Sequence, residues 1–301
     1  MTATYQRGAV LLLCILSAFA LVRARQDDDD VVRVESELVV LNVTVKDAEG
    51  RFARKLRKSD FRVFEDKREQ KISLFSVEET PFAAAILLDT SGSMESRITL
   101  ARAAAIRFLD GLRPEDVASV YHFDSKVEQL QDYSPGRDLP DMAYGLRSKG
   151  MTALNDAVLR AAGDLAKRPE KRRAIIVLSD GFDTMSAASR DKALNAALAA
   201  NATVYTVDMM DSRASALDKM KAAGALKFFS EKSGGRYVPT PGGQELAEAF
   251  QGILEELSNQ YTIGYRPDAP ARDGRWREID LQLARPGLTA RTRDGYRAPK
   301  R

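Results

Sequence analysis

Cysteine occurs once in this chain of 301 residues, at Cys14; histidine occurs once, at His122, and tryptophan once, at Trp276. A lone cysteine excludes an internal disulfide framework and a zinc site built on thiolates. With one histidine as well, any resident metal has to be held by oxygen or by His122. Excess charge is also missing. The 46 basic and 43 acidic residues leave a net charge of +3, which is no broad basic field for nucleic acid. Aromatic residues make up 7% of the chain and show no stacking pattern. What stands out first is an apolar run at the N-terminus, GAVLLLCILSAFALV after Arg7. It is shorter than the roughly 20 residues that a spanning helix needs. Ala18-Phe19-Ala20 and Val22-Arg23-Ala24 follow as small-residue cut sites, so residues 1–24 read as a secretory signal peptide. Cleavage would remove the only cysteine and leave a secreted chain with no membrane insertion. Asp27 to Asp30 repel one another and make residues 25–32 a solvated acidic spacer.

The remainder separates into three stretches. Residues 33–81 read as β-rich: RVESELVVLNVTVKD alternates over much of its length, and FRVFED and QKISLFSVEE follow around a turn at Asp66-Lys67. Residues 82–258 alternate strands and helices with short connections. Continuous apolar runs such as AAAILL and AIIVL lack period-2 alternation, as expected of strands covered on both faces. This predicts an α/β domain with a Rossmann-like, doubly wound, mostly parallel sheet. The closely spaced VASVYHF and KVEQLQDY predict one antiparallel edge strand. Residues 259–301 return to β, with strands expected in QYTIGYRP, WREIDLQLAR and LTARTRDGYR. These flanks are expected to pair into one β-sandwich, with the α/β domain inserted between its halves. The alternative is two separate strand sets.

Chemistry concentrates where the first α/β strand ends. Asp89-Thr90-Ser91-Gly92-Ser93 follows the apolar run directly. In open α/β sheets, ligands bind outside the carboxyl ends of the strands, where the strand order reverses. The Ser91 and Ser93 hydroxyls, two residues apart, share one side of an extended loop. Thr152 stands at a loop tip before a helix, and Asp180 ends the strand RAIIVLS. In a 3-2-1-4-5-6 order the strands ending at Asp89 and Asp180 are neighbours. Three hydroxyls and two carboxylates form an oxygen-only set suited to a hard divalent cation. With so little charge on its ligands, such an ion stays electrophilic and open to a carboxylate from outside.

Asp89-Thr90-Ser91-Gly92-Ser93, Thr152 and Ser179-Asp180-Gly181 together resemble the D-x-S-x-S…T…D pattern of von Willebrand factor A domains, over residues 82–258. The flanking stretches are similar to those of a bacterial group of secreted proteins related to that family. The resemblance implies a metal-ion-dependent adhesion site with Asp89, Ser91, Ser93, Thr152 and Asp180 as metal residues. The serines and Thr152 would be direct ligands, and the aspartates would act mainly through water. The ion is expected to be Mg²⁺ or Mn²⁺, with Ca²⁺ as an alternative. The partner would be a protein presenting an acidic side chain, met outside the cell or in the periplasm. Two competing functions are a structural envelope protein with a vestigial site and a metal-dependent hydrolase. Against the hydrolase, a haloacid-dehalogenase-type enzyme carries a second aspartate two residues after the first, and here that residue is Ser91.

Four further residues carry expectations. His122 reads as a structural or edge strand residue rather than a metal ligand, and Trp276 as sandwich core rather than a binding platform. Asp183 and Thr184 follow Asp180 and read as a solvated loop, with support of the site's ligands as the alternative. Asp208, at a strand end, reads equally as a neighbour of the site or as a helix cap.

Overall fold

A computed structural model describes residues 38–77, 80–136, 139, 141–147, 150–239, 243–268 and 272–300. The leader and spacer expected at 1–24 and 25–32 lie outside the described residues. In chain order the elements are β1 (Val39–Lys46), β2 (Phe61–Glu65), β3 (Arg68–Gln70), β4 (Ile72–Ser76), β5 (Phe82–Asp89), α1 (Ile98–Asp110), β6 (Val117–Phe123), β7 (Val127–Ser134) and α2 (Leu154–Leu165). They continue with β8 (Arg172–Ser179), α3 (Arg190–Ala199), β9 (Ala202–Asp208), α4 (Ala216–Ser233), β10 (Tyr237–Val238) and α5 (Gly243–Ser258). The last four strands are β11 (Tyr261–Tyr265), β12 (Trp276–Leu283), β13 (Thr289–Arg291) and β14 (Gly295–Arg297). Among the described residues no helix is long and apolar enough to cross a membrane.

Six strands form the central sheet, in the order β10-β9-β8-β5-β6-β7. All pairings are parallel except β6 with β7. The apolar run of β5 explains this placement. Every residue of β5 is buried, and alternate side chains serve opposite layers. Phe82, Ala84, Ile86 and Leu88 join a core with Phe108 of α1 and Phe250 of α5. Ala83, Ala85 and Leu87 join a second core with Val158 of α2, Leu194 of α3 and Phe229 of α4. Ser189 and Ser215 start α3 and α4 as N-caps, accepting from Lys192 N and Asp218 N respectively.

The flanks merge as expected. β1 of the first flank lies between β11 and β13 of the second, in a sheet ordered β13-β1-β11-β4. β2 pairs with β12 in the other sheet, ordered β14-β12-β2-β3. The inner faces share one core that includes Leu41, Val43, Phe61, Val63, Tyr261 and Ile263. The polar positions of β1 are buried too, because they face the central domain. Asn42 donates to Asn201 O and Thr203 Oγ1, and Thr44 donates to Glu256 of α5. Glu256 also accepts from Tyr205 OH at 2.9 Å and from the Arg291 guanidinium.

One expected strand is not a single strand. The stretch 288–297 splits into β13 and β14, which belong to different sheets. Arg293 sits in the crossing and explains the break. It turns its buried guanidinium to Leu198 O at 2.7 Å and Asn201 Oδ1 at 3.2 Å, which a residue in a continuous ladder could not reach. Trp276 also departs from expectation. It is 38% exposed and lies outside the sandwich core.

Candidate metal centre

β5 and β8 are adjacent and parallel, so their C-terminal ends deliver Asp89 and Asp180 to one place. Asp89 closes β5 with no exposed surface. Thr90 extends the pairing with β6 by donating its N–H to Phe123 O at 2.8 Å. The chain then turns. Ser91 N donates to Asp89 Oδ1 at 2.9 Å, and Gly92–Met94 form a 3-10 turn with Met94 buried beneath it. Ser91 is buried and Ser93 exposed, yet their hydroxyls lie 3.1 Å apart, as the two-residue spacing predicts. Ser93 also stands near enough to the Asp180 carboxylate to favour its charged form. It therefore stands at the mouth of the site, beside both strand ends.

A second link lies deeper. The Ser179 hydroxyl donates to Asp89 Oδ2 at 2.6 Å and accepts from Gly181 N at 3.0 Å. The turn after Asp180 depends on Gly181, whose φ is +80°. A Cβ at Gly181 would lie 2.6 Å from Ala222 O of α4, so the position requires both a left-handed backbone and the absence of a side chain.

Thr152 arrives from a different loop and is nearly fully buried. Gly150 O accepts from Gly92 N at 3.2 Å, which docks this loop on the Ser91–Ser93 turn. On the other side Thr152 N donates to Thr184 Oγ1 at 3.0 Å, while Thr152 O accepts from Thr184 N and Met185 N, each at 2.9 Å. Asp183 accepts from Asn155 N at 3.0 Å at the start of α2. Asp183 and Thr184, expected to be a solvated loop, thus fasten Thr152 to the segment that carries Asp180. All five candidate residues lie at the C-terminal edge of the central sheet.

Asp208 ends β9 beside Ser179, its register partner. Its carboxylate accepts from Met210 N at 2.8 Å and from Tyr237 OH at 2.7 Å. It caps no helix, since Ser215 caps α4. His122 contacts Thr90 Oγ1 at 3.2 Å and Glu128 at 3.4 Å, in keeping with a structural strand residue.

The electrostatics follow from burial. Desolvation pushes the Asp89 carboxyl up to about 7, against the hydrogen bonds from Ser179 and Ser91; the negative Asp180 nearby adds to the rise. Burial raises Asp180 too, opposed by Ser93 and the bond from Phe182 N and assisted by the charge of Asp208. Among the described residues, no basic group is a main influence on Asp89 or Asp180. Buried carboxylates normally require a compensating cation. Among the described residues no three His, Cys, Asp or Glu side chains gather, so a cation here would rest partly on hydroxyls. Two buried carboxylates beside the paired Ser91 and Ser93 hydroxyls, with Thr152 on the loop docked against them, are a donor set that fits a hard divalent ion.

Ser179 is the working residue that sequence reasoning leaves without a role, although a hydroxyl directly before Asp180 is the available signal. For Thr184 the signal is its closeness to Asp180, while its actual partner is a backbone N–H 32 residues away.

Residues 84–182 match the family model described as von Willebrand factor type A domain. No curated protein matches the chain. Solved structures similar to it include the vWF domain of the type V pili tip protein Mfa5 from Porphyromonas gingivalis, at 14% identity over 58% of this chain and 94% of that one, with a TM-score of 0.49. A von Willebrand factor type A structure from Catenulispora acidiphila aligns at 13% identity over 81% of this chain and 76% of its own, TM-score 0.49. The PilB minor pilin from Streptococcus sanguinis aligns at 14% identity over 60% of this chain, TM-score 0.46; the chain spans 61% of that pilin's length.

Proposed function

The chain carries a von Willebrand factor type A domain, and from that premise we propose that it is a protein-binding module of the adhesion or scaffold kind, which grips a partner's carboxylate through a divalent cation. Asp89, Ser91, Ser93, Thr152 and Asp180 would hold the ion, Mg²⁺ or Mn²⁺ with Ca²⁺ as an alternative. The ion would supply an electrophilic centre whose free coordination position takes an Asp or Glu side chain. One observation carries the reading: two buried carboxylates end neighbouring strands with serine hydroxyls beside them, and among the described residues no basic group is a main influence on either. Because the hydroxyls are neutral, two negative charges are all the site offers a doubly charged ion, which favours a third carboxylate from outside.

A binding role fits the polar groups better than hydrolysis. Both oxygens of Asp89 accept hydrogen bonds, from Ser91 N and Ser179 Oγ, which positions the carboxylate and lowers its worth as a nucleophile. The expected leader would place the module in the periplasm or outside the cell. Calorimetric titration of the chain with Mg²⁺ and Mn²⁺ tests the proposal. Binding at or below millimolar concentration that vanishes in Asp89→Ala supports it. A peptide library should then yield sequences that lose affinity when Asp or Glu becomes Asn or Gln, or when chelator is added. No divalent-ion binding at millimolar metal sinks the proposal.

A further inference from the structure

The chain's single tryptophan belongs to the sandwich and takes no part in the function proposed above. Trp276 opens β12, and its ring rests on the backbone of β14. A Cβ on Gly295 would stand 2.7 Å from ring atoms Cε2 and Cζ2, so glycine is what allows indole and strand to touch. The exposed part of the ring forms a wall of a cleft of about 530 Å³ between β12, β14, α3 and α4. That volume lies within the range of small-molecule sites.

The other polar groups of the cleft are planar or forked. Asp191 and Asn195 come from α3, Glu278 from β12 and Arg297 from β14. Lys232 and Asp294, also in the cleft, pair with each other at 2.9 Å. Arg297 commits one N–H to Gly274 O at 2.9 Å, leaving others for a ligand. The cleft therefore presents acceptors on Asp191, Glu278 and Asn195, donors on Asn195 and Arg297, and an aromatic surface beside them. An anionic ligand would meet Asp191 and Glu278, and a cationic one would meet Arg297 and Lys232. A ligand suited to all of these groups is uncharged and rich in hydroxyls, because each hydroxyl both donates and accepts. It also needs a C–H face to lie on the indole. A pyranose ring has both properties. We propose that this cleft is a saccharide site taking a neutral pyranoside of one or two rings, stacked on Trp276 and hydrogen-bonded by Asp191, Asn195, Glu278 and Arg297.

Because the chain has one tryptophan, selective indole excitation reports on this cleft alone. The full chain is titrated with glucose-, galactose- and N-acetylglucosamine-configured β-1,4 disaccharides, with glycerol at equal osmolality as the hydroxyl-rich control. At least one disaccharide should shift Trp276 emission saturably, with half-effect on the order of millimolar, since hydrogen bonds exchanged with water leave little net gain each. Glycerol should not. The exposed substitutions Asp191→Ala and Glu278→Gln should each raise the half-effect concentration about threefold to tenfold without altering the unfolding midpoint. Trp276→Ala, read by calorimetry, should abolish the heat of binding. The proposal is overturned if none of the disaccharides produces a saturable change, or if Asp191→Ala and Glu278→Gln both bind as the wild type does. It is equally overturned if the response is confined to a lysine- or glutamate-bearing tripeptide.

Discussion

Raising the pH of the metal-free protein should weaken it, and the metal should reverse the loss. The folded state holds the Asp89 proton up to about 7 because burial disfavours the charge, whereas an unfolded aspartate releases it near 3.9. Between those values the folded chain binds more protons than the unfolded one, so stability falls as pH rises. The stabilisation is complete below about pH 4 and is lost as pH passes through about 7. At about 1.4 kcal/mol per tenfold step the whole interval is worth about 4 kcal/mol, of which about 3 falls between pH 5 and pH 8. Asp180, raised for the same reason, adds a slope of the same sign. The assay is urea unfolding in chelator from pH 5 to pH 8, for wild type and Asp89→Asn. The asparagine can still accept from Ser91 N and can donate to Ser179 Oγ, so it imitates the protonated acid. Its unfolding free energy should be flatter with pH by about 3 kcal/mol. Mg²⁺ at about a hundred times its dissociation constant should add about 2.7 kcal/mol to the wild type at pH 8, less at pH 5 where the proton competes, and little to the variant. Equal pH slopes in the two proteins would refute the assignment of the buried proton. Equal Mg²⁺ stabilisation at both pH values would refute its coupling to the ion.

Gly181→Ala should cost about 2 kcal/mol or more of stability, because the new Cβ meets Ala222 O at 2.6 Å in a left-handed backbone; denaturant midpoints check this. Ser179→Ala should lower metal-free stability by about 1–3 kcal/mol at pH 8, where Asp89 is charged and loses a donor, and by less at pH 5, as read by the same unfolding curves. Thr152→Ala should reduce Mg²⁺ affinity by calorimetry while shifting the unfolding midpoint little, because the loop is held through the Thr152 backbone. Glu256→Ala should destabilise by about 2–4 kcal/mol, since Tyr205, Thr44 and Arg291 all lose their acceptor; circular dichroism melting tests it.

Much of this architecture was legible because local pattern and topology agreed. The run AAAILL reads as a strand buried on both faces, and β5 divides its side chains between two helical layers. The strand–helix alternation implied an order in which the strands ending at Asp89 and Asp180 are neighbours, and β5 lies beside β8. What escaped were features decided by partners distant in sequence. LTARTRDGYR reads as one strand because its alternation is good, yet Arg293 is drawn out of the ladder by Leu198 O and Asn201. Trp276 reads as core because tryptophan buries much area, yet the small β14 covers only part of it. The role of Thr184 rests on a backbone amide of another loop, a partner that no local signal announces.

The placement of the sandwich bears on how such a module could work. The chain enters the central sheet at Phe82, the first residue of β5, and leaves it after α5. The hydrogen bonds that tie the sandwich to the central domain involve Asn42, Thr44, Arg291 and Arg293 on one side. On the other they involve Leu198, Asn201, Thr203, Gly234 and Glu256, and Lys232 near the end of α4 adds a bond to Asp294 of the sandwich. Those partners stand at the ends of α3, α4 and α5 or at the start of β9, which is the N-terminal edge of the parallel sheet. Asp89, Thr152 and Asp180 stand at the opposite edge. A partner approaching Ser93 at the mouth of the site therefore meets the loops at the C-terminal edge of the sheet, those after β5 and β8 and before α2 among them, and not the sandwich contacts at the other edge. Mutations that loosen the sandwich should then lower stability before they change metal affinity, whereas Ser91→Ala and Ser93→Ala should do the reverse. Measuring unfolding and Mg²⁺ binding on the same variants separates the two. If Thr44→Val, which removes a donor to Glu256, shifts Mg²⁺ affinity as much as Ser93→Ala does, the two edges are coupled and this separation of roles is wrong.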